Sequence, residues 1–154
     1  MYITCQTLSF DTTATMVPKD TYRLFLYLTI LLGVLLMQSC EGQNWGAFRN
    51  KHIDYPKTEA PNVNAYCNLM IQQRGLNEGK CKPTNTFINE SPSTVQQVCT
   101  KTSNGYRISA DKFPVVECRN RGRWPDCNYV GKPRTGQLRL LCRDNLPIHY
   151  GGLA

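Results

Sequence analysis

Residues 81–87 read Cys-Lys-Pro-Thr-Asn-Thr-Phe, and Lys82 directly follows the cysteine that opens this stretch. A lysine can stabilise negative charge that develops on an oxyanion or a phosphorane. The two histidines of the chain, His52 and His149, lie on either side of the stretch. Because an unperturbed imidazole has a pKa of about 6.5, two histidines can act near neutral pH as one base and one acid. The spacing leaves open that His52 is simply a packed core residue beside Phe48.

The N-terminal 42 residues have the features of a secretion signal. Residues 24–37 carry no charge and follow Lys19 and Arg23. This run of 14 residues is shorter than the roughly 20 residues that span a membrane, and it fits a signal-peptide core. The small residues in Cys40-Glu41-Gly42 predict cleavage before Gln43, with Met16 as an alternative initiator. An uncleaved membrane anchor is the alternative interpretation.

Composition and charge narrow the function classes. With 19% charged and 41% apolar residues, the chain resembles neither a disordered protein nor a multi-span membrane protein. It has no Walker loop, G-x-G-x-x-G, G-x-S-x-G or H-E-x-x-H motif, so nucleotide cofactors and the common hydrolase signatures have no support. Removal of residues 1–42 takes away two basic and three acidic residues, which raises the net charge from +7 to +8. This excess favours an anionic partner such as nucleic acid, a glycosaminoglycan or an anionic membrane.

Six of the eight cysteines lie in residues 43–154, which we expect to form the mature domain: Cys67, Cys81, Cys99, Cys118, Cys127 and Cys142. An even number in a short secreted domain predicts three disulfides. A zinc site is the alternative, but zinc ligands usually come in pairs about two to four residues apart. The closest pair here, Cys118 and Cys127, has eight residues between its members. Spacing alone leaves the pairing of the six cysteines open.

Hydrophobic periodicity predicts short helices followed by strands. We expect one helix near residues 45–52, a second after the cap Asn62 with Gly75 just past its end, and a third that opens at Ser91 and Pro92. Strands are predicted at residues 106–109, 115–118 and 138–143, with shorter candidates at 129–130 and 148–150. Turns are predicted at residues 104–105, 131–136 and 144–145. The fold class is therefore α+β, with helices packed on an antiparallel sheet and stapled by disulfides.

Residues 81–87 resemble the C-K-x-x-N-T-F signature of the pancreatic-type ribonuclease (ribonuclease A) superfamily. The similarity covers residues 43–154 in the correct order, through Phe48-x-x-x-His52, Tyr66-Cys67-Asn68, Val98-Cys99 and Leu146-Pro147-Ile148-His149. Six rather than eight mature cysteines and the turn at residues 74–76 resemble the angiogenin-like branch. The resemblance implies a curved antiparallel sheet with three short helices, and it implies the bridges Cys67–Cys118, Cys81–Cys127 and Cys99–Cys142.

The same resemblance implies a metal-independent and cofactor-independent endoribonuclease that cleaves single-stranded RNA on the 3′ side of pyrimidines. His52 would take the proton of the ribose 2′-OH, Lys82 would stabilise the phosphorane, and His149 would protonate the departing 5′-oxygen. The product would be a 2′,3′-cyclic phosphate. DNA should not be cleaved, because it lacks the 2′-OH that serves as nucleophile.

Four further residues are expected to bind substrate by the same resemblance. Thr86 would pair with the pyrimidine, with Asn85 of the signature and Tyr150 beside it. Lys51 stands where the family usually has glutamine, where it would either attract phosphate or crowd the catalytic base. Gly151 replaces the aspartate that is thought to orient the second histidine, so we expect a modest turnover.

The partners and biological outputs stay open at this level. Single-stranded RNA is the expected substrate of a monomeric, extracellular protein, and heparan sulfate, other anionic cell surfaces and ribonuclease inhibitor are candidate partners. The basic residues available for such contacts include Arg119, Arg121, Arg123, Lys132, Arg134, Arg139 and Arg143. Besides RNA cleavage, a cationic host-defence role without catalysis and an angiogenin-like signalling role fit this sequence.

Overall fold

The computed structural model describes residues 19–38 and 44–154. The chain divides into two compact units, Met1–Gly42 and Gln43–Ala154. In the first unit, helix α1 spans Lys19–Gln38 and exposes its side chains over residues 22–32. The alternative initiator Met16 and the expected cleavage site at Gly42 and Gln43 lie outside the described residues, so both stay predictions.

Within the described residues, no helix combines the length and the apolarity that crossing a membrane requires.

Three helices of residues 44–154 each begin at a side-chain cap: α2 (Trp45–His52), α3 (Val63–Gln73) and α4 (Pro92–Gln97). The side-chain oxygen of Asn44 accepts a hydrogen bond from the first turn of α2 at 2.8 Å. Asn62 caps α3 and Ser91 caps α4 in the same way. Gly75 follows α3 with a φ of +61°, the left-handed conformation that commonly ends helices. The three predicted helices are therefore confirmed.

The same part of the chain forms an antiparallel sheet in the order β1 (Thr84–Ile88), β2 (Gly105–Asn120), β3 (Tyr129–Arg143) and β4 (Leu146–Leu153). The α+β class is confirmed. The strands predicted at residues 106–109 and 115–118 are parts of one long strand, β2. The predicted turn at residues 144–145 is present, and Asp144 and Asn145 have φ of +52° and +62°, as tight hairpin turns require.

The predicted turn at residues 131–136 is wrong, because these residues pair with β2 in the middle of β3. Glycine at position 131 serves close packing instead. A Cβ added there would lie 2.6 Å from Val63 and 2.9 Å from the Sγ of Cys67. Helix α3 therefore approaches the backbone of β3 so closely that a side chain at Gly131 has no room.

Both faces of the sheet are covered by buried side chains. Under α2 and α4 lie Phe48, Ile53, Ile88, Val95, Cys99, Phe113, Val115, Leu138, Leu140 and Cys142. Under α3 lie Tyr66, Cys67, Met70, Ile71, Phe87, Val116, Cys118 and Tyr129. Neighbours such as Val115 and Val116 enter different clusters because successive side chains of a strand point to opposite faces.

Three disulfides connect these layers. Cys67–Cys118 ties α3 to β2, Cys81–Cys127 joins the segments that lead into β1 and β3, and Cys99–Cys142 ties the end of α4 to β3. These are the same three pairs that the resemblance implies. A cysteine in a disulfide cannot supply a thiolate to zinc, so these six side chains are not zinc ligands.

A buried carboxylate, which the sequence analysis missed, links α2, α3 and β1. Asp54 is 2% exposed and accepts hydrogen bonds from the Tyr66 hydroxyl at 2.7 Å and from the Thr58 hydroxyl at 2.8 Å. Arg74 lies 3.7 Å from the same carboxylate. The Tyr66 hydroxyl also accepts a hydrogen bond from Asn89 at 3.0 Å. Burial and the bond to Asp54 raise the pKa of Tyr66.

We expect Asp54→Ala to lower the free energy of unfolding by about 2–4 kcal/mol, because it leaves buried donors without an acceptor. Urea unfolding would measure the change. Asp111→Ala is the matched control, since Asp111 is exposed and should change stability by no more than about 0.5 kcal/mol. Equal stability of the two variants would contradict the structural role of Asp54.

Candidate active site

The predicted site residues come from four separate parts of the fold. His52 ends α2, Lys82 lies two residues before β1, Thr86 belongs to β1, and His149 and Tyr150 belong to β4. The Nδ1 of His52 is 2.9 Å from the Thr86 carbonyl oxygen, and the rings of His52 and Tyr150 are 5.4 Å apart. The charges of Lys82 and His149 both act on His52. The fold therefore brings these five residues together.

His52 is oriented by packing and by one hydrogen bond. Its ring lies 5.2 Å from the Phe48 ring, and donation from Nδ1 to the Thr86 carbonyl leaves Nε2 as the proton acceptor. Burial, together with the positive charges of Lys82, His149 and Lys51, lowers the pKa of His52 from its usual 6.5 to about 4, although the bond to Thr86 opposes this shift. The imidazole is therefore neutral at neutral pH. It packs against the core and still keeps a basic nitrogen.

The backbone of Lys82 is held by contacts that sequence reasoning missed. Its N–H donates to the side-chain oxygen of Asn77 at 2.9 Å, and the Tyr129 hydroxyl lies 2.8 Å from its carbonyl oxygen. The preceding residue, Cys81, is bridged to Cys127. Tyr129 is 1% exposed, so the position of the lysine depends on the hydrophobic core. The sequence predicts Tyr129 only as the first residue of a short strand, and no motif in the sequence points to Asn77.

The site concentrates positive charge. Burial lowers the pKa of Lys82, the nearby Lys51 lowers it further, and Glu78 opposes them. Lys51 and Lys82 are both half-buried. Cations that are partly removed from water attract an anion more strongly than fully solvated ones. The arrangement favours a phosphate close to His52.

Asn85 connects β1 to the end of α2. Its Nδ2 donates to the Lys51 carbonyl at 2.7 Å, one residue before His52. Asn85 is 4% exposed, and its Oδ1 is buried with no hydrogen-bond partner. The amide therefore helps to fix the end of α2 next to His52. Its expected contact with substrate stays a prediction.

Thr86 opens onto a groove of about 560 Å³ on β1, β2 and β3. The groove contains the basic side chains Arg119, Arg121, Lys132 and Arg134. One carboxylate, Glu117, lies across the strand pair from Thr86 and 3.4 Å from Arg134. The sequence analysis does not single out Glu117. It lies between Val116 and Cys118, whose side chains are buried under α3, so its own side chain points to the opposite face.

The remaining predicted basic residues lie elsewhere. The guanidinium of Arg139 stacks on the ring of Tyr106 at 4.7 Å, and the backbone of Arg123 forms an isolated antiparallel β-bridge with Asp126. Arg143 is exposed near the end of β3. The basic residues therefore do not form one continuous stripe.

A family model described as pancreatic ribonuclease matches residues 43–151. The chain belongs to this family. A pancreatic ribonuclease of Iguana iguana is 46% identical over 114 residues, which cover 70% of this chain and 96% of that protein. An angiogenin of Gallus gallus is 36% identical over 126 residues, 80% of this chain and 91% of that protein. A crystal structure of green turtle egg white ribonuclease matches with a TM-score of 0.68 and 35% identity, covering 71% of this chain and 98% of that one.

This pancreatic-type ribonuclease is an RNA endonuclease, and the expected resemblance to the ribonuclease A superfamily, with an angiogenin among its relatives, is confirmed. Tyr150 is half-buried. Burial raises the pKa of Tyr150 to about 12, while hydrogen bonding with Thr86 opposes the shift. The phenol therefore stays protonated at every pH at which the enzyme is expected to work.

We expect the rising limb of the pH dependence of kcat/KM to lie below pH 6.5. The base must be neutral to act, and the pKa of His52 is lowered to about 4, so activity is lost only as the pH falls through that lowered value. Lys51→Gln removes one of the charges that lower it and should move the limb to higher pH. A limb at or above pH 6.5 in the unmodified enzyme would contradict the environment described for His52.

Proposed function

We propose that this ribonuclease is a secreted, metal-independent enzyme that cleaves single-stranded RNA on the 3′ side of pyrimidines and releases a 2′,3′-cyclic phosphate. The observation that carries the proposal is the hydrogen bond from His52 to Thr86. It joins a neutral imidazole to the strand that would read the base. The proton acceptor and the base-binding residue are thereby held in one fixed relation.

His52 acts as the general base in the first step. Its Nε2 takes the proton of the ribose 2′-OH, and the 2′-oxygen attacks the neighbouring phosphorus. The bond from phosphorus to the 5′-oxygen then breaks, and His149 gives its proton to that oxygen. In a second step, water opens the cyclic phosphate while the two histidines exchange roles.

Lys82 and Lys51 stabilise the extra negative charge of the phosphorane. Asn77 and Tyr129 fix the backbone of Lys82 before substrate arrives, so little reorganisation is needed as the charge develops. Thr86 hydrogen-bonds the pyrimidine, with Tyr150 and Asn85 beside it. The basic groove beyond Thr86 attracts neighbouring phosphates, and binding should weaken as salt concentration rises.

We expect His52→Ala and His149→Ala each to lower kcat/KM on yeast RNA by about 100-fold or more, because each removes one proton-transfer group. Lys82→Ala should cause a loss of about 100-fold by removing charge stabilisation. Lys112→Ala, which changes an exposed lysine of β2, serves as the matched charge control and should keep its activity. EDTA should have no effect, and DNA should stay intact. Full activity in either histidine variant would reject the mechanism.

Two other biological outputs have specific support. The net charge of +8 that the sequence predicts for residues 43–154 favours a host-defence role through anionic surfaces, and bacterial killing by the His149→Ala variant would support it. The relation to a Gallus gallus angiogenin favours a signalling role, which endothelial tube formation that depends on His52 would support. We expect the protein to be a monomer, with heparan sulfate and a ribonuclease inhibitor as proposed partners. Adding either partner in increasing amounts and measuring the rate of RNA cleavage would detect binding.

Secretion with cleavage before Gln43 is the remaining proposal. N-terminal sequencing of the protein secreted by eukaryotic cells should begin at Gln43, which can cyclise to pyroglutamate. Replacement of Gly42 by Arg should reduce processing, because the residue before the cleavage site must be small. A secreted chain that begins before Leu24 would contradict the assignment of a signal peptide.

A further inference from the structure

Gly151 lies two residues after His149 on β4, where the ring of Tyr106 touches the backbone. A Cβ added at Gly151 would lie 3.0 Å from Cε1 of Tyr106 and 3.1 Å from the carbonyl oxygen of Arg139. The φ of Gly151 is outside the left-handed region, so its conformation does not require glycine. A side chain at Gly151 would fit tightly, because Tyr106 and Arg139 lie close to the space that it would take.

Tyr106 is held in this position from two sides. The Arg139 guanidinium stacks on its ring at 4.7 Å, and the ring rests on Gly151. Tyr106 is 46% exposed, so core packing does not explain the contact. In the sheet, Tyr106 pairs with Leu141, and Leu141 pairs with His149. Tyr106 and His149 therefore flank one residue of β3 on the same face of the sheet.

The ladder around His149 is irregular, which increases the weight of this contact. The β3–β4 register shifts between Leu138 and Leu140, and again between Leu141 and Cys142. The pairs Leu140–Tyr150 and Leu141–His149 stand between these two shifts. The His149 side chain is exposed, so core packing does not hold it. Its position therefore depends on the backbone of β4.

We propose that Tyr106, clamped between Arg139 and Gly151, is a positioning residue that holds the backbone of β4 so that His149 meets the leaving oxygen. The inference rests on the proposed function of His149 as the proton donor to the 5′-oxygen. Tyr106 itself touches no reacting atom. Removal of its ring lets β4 shift at Gly151, two residues from the histidine, and misplacement of a catalytic group by about 1 Å can cost 100-fold in rate.

The test compares two substrates that differ in their need for a proton donor. A dinucleotide such as uridylyl-adenosine releases an alkoxide, which must be protonated as the bond breaks. Uridine 3′-(4-nitrophenyl phosphate) releases 4-nitrophenolate, which leaves without that proton because it is a much weaker base. Tyr106→Ala should lower kcat on the dinucleotide by about 10-fold, with KM changed less than about twofold. On the nitrophenyl ester, its kcat should stay within about twofold of the unmodified enzyme.

Matched variants separate positioning from general damage. Tyr106→Phe keeps the ring and should restore kcat. Ile108→Ala removes an exposed apolar side chain from the same strand and face and should have no effect. Gly151→Ala should reproduce the selective loss on the dinucleotide, and its effect should be smaller in the Tyr106→Ala background, because the ring that it would strike is gone. Tyr106→Leu, which retains an apolar contact, replaces Tyr106→Ala if thermal unfolding shows that the alanine variant does not fold.

Two failures can be told apart. An unmodified enzyme that cleaves neither substrate rejects the proposed function. An active enzyme in which the loss of the Tyr106 ring leaves kcat unchanged on the dinucleotide overturns the positioning role. The same conclusion follows if both substrates lose activity equally, or if the effects of Tyr106→Ala and Gly151→Ala simply multiply.

Discussion

The hydrogen bond between His52 and the Thr86 carbonyl is the constraint on which the rest of the site depends. The preceding residue of β1, Asn85, donates a hydrogen bond to the Lys51 carbonyl. The last turn of α2 is therefore fixed to two successive residues of β1. A helix end offers unpaired carbonyls and a strand edge offers unpaired backbone groups. At this junction, the Lys51 carbonyl of the helix end and the Thr86 carbonyl of the strand both accept hydrogen bonds. The bond to Thr86 also sets the tautomer of His52. The contacts that join α2 to β1 are therefore the same contacts that orient His52.

The hydrophobic core also fixes the backbone of Lys82. Tyr129 is buried between α3 and the sheet, yet its hydroxyl lies within hydrogen-bond distance of both Asn77 and the Lys82 carbonyl. The disulfide at Cys81 fixes the same backbone from the other side. A surface lysine loses much rotational freedom when it is immobilised, and here the fold has already restricted its backbone. Changes to core packing near Tyr129 should therefore affect charge stabilisation as well as stability.

The sequence predicted those features of the fold that depend on neighbouring residues, such as helix caps and one turn. Asn62 and Ser91 predicted the helix starts because a cap acts within one turn, and Asp144-Asn145 predicted a turn because its conformation is set by those two residues. The turn predicted at residues 131–136 is wrong for the opposite reason. Glycine is present at position 131 because Val63, which is far away in sequence, packs against it. The Asp54 network also depends on partners that are distant in sequence, Tyr66 and Arg74. The bridge pairs came from family resemblance, since spacing did not distinguish them.

The positive charge around His52 has opposing effects on the reaction. With Lys51, Lys82 and His149 nearby, the free enzyme holds a weakly basic imidazole, and a weaker base abstracts a proton less readily. A bound phosphodiester brings a negative charge into the same space, which raises the pKa of neighbouring histidines. In the proposed mechanism, substrate would therefore raise the basicity of His52, and the lysines that lower its pKa would contact the phosphate. The same positive charges that lower the pKa of His52 would attract the phosphate group of RNA in the proposed reaction.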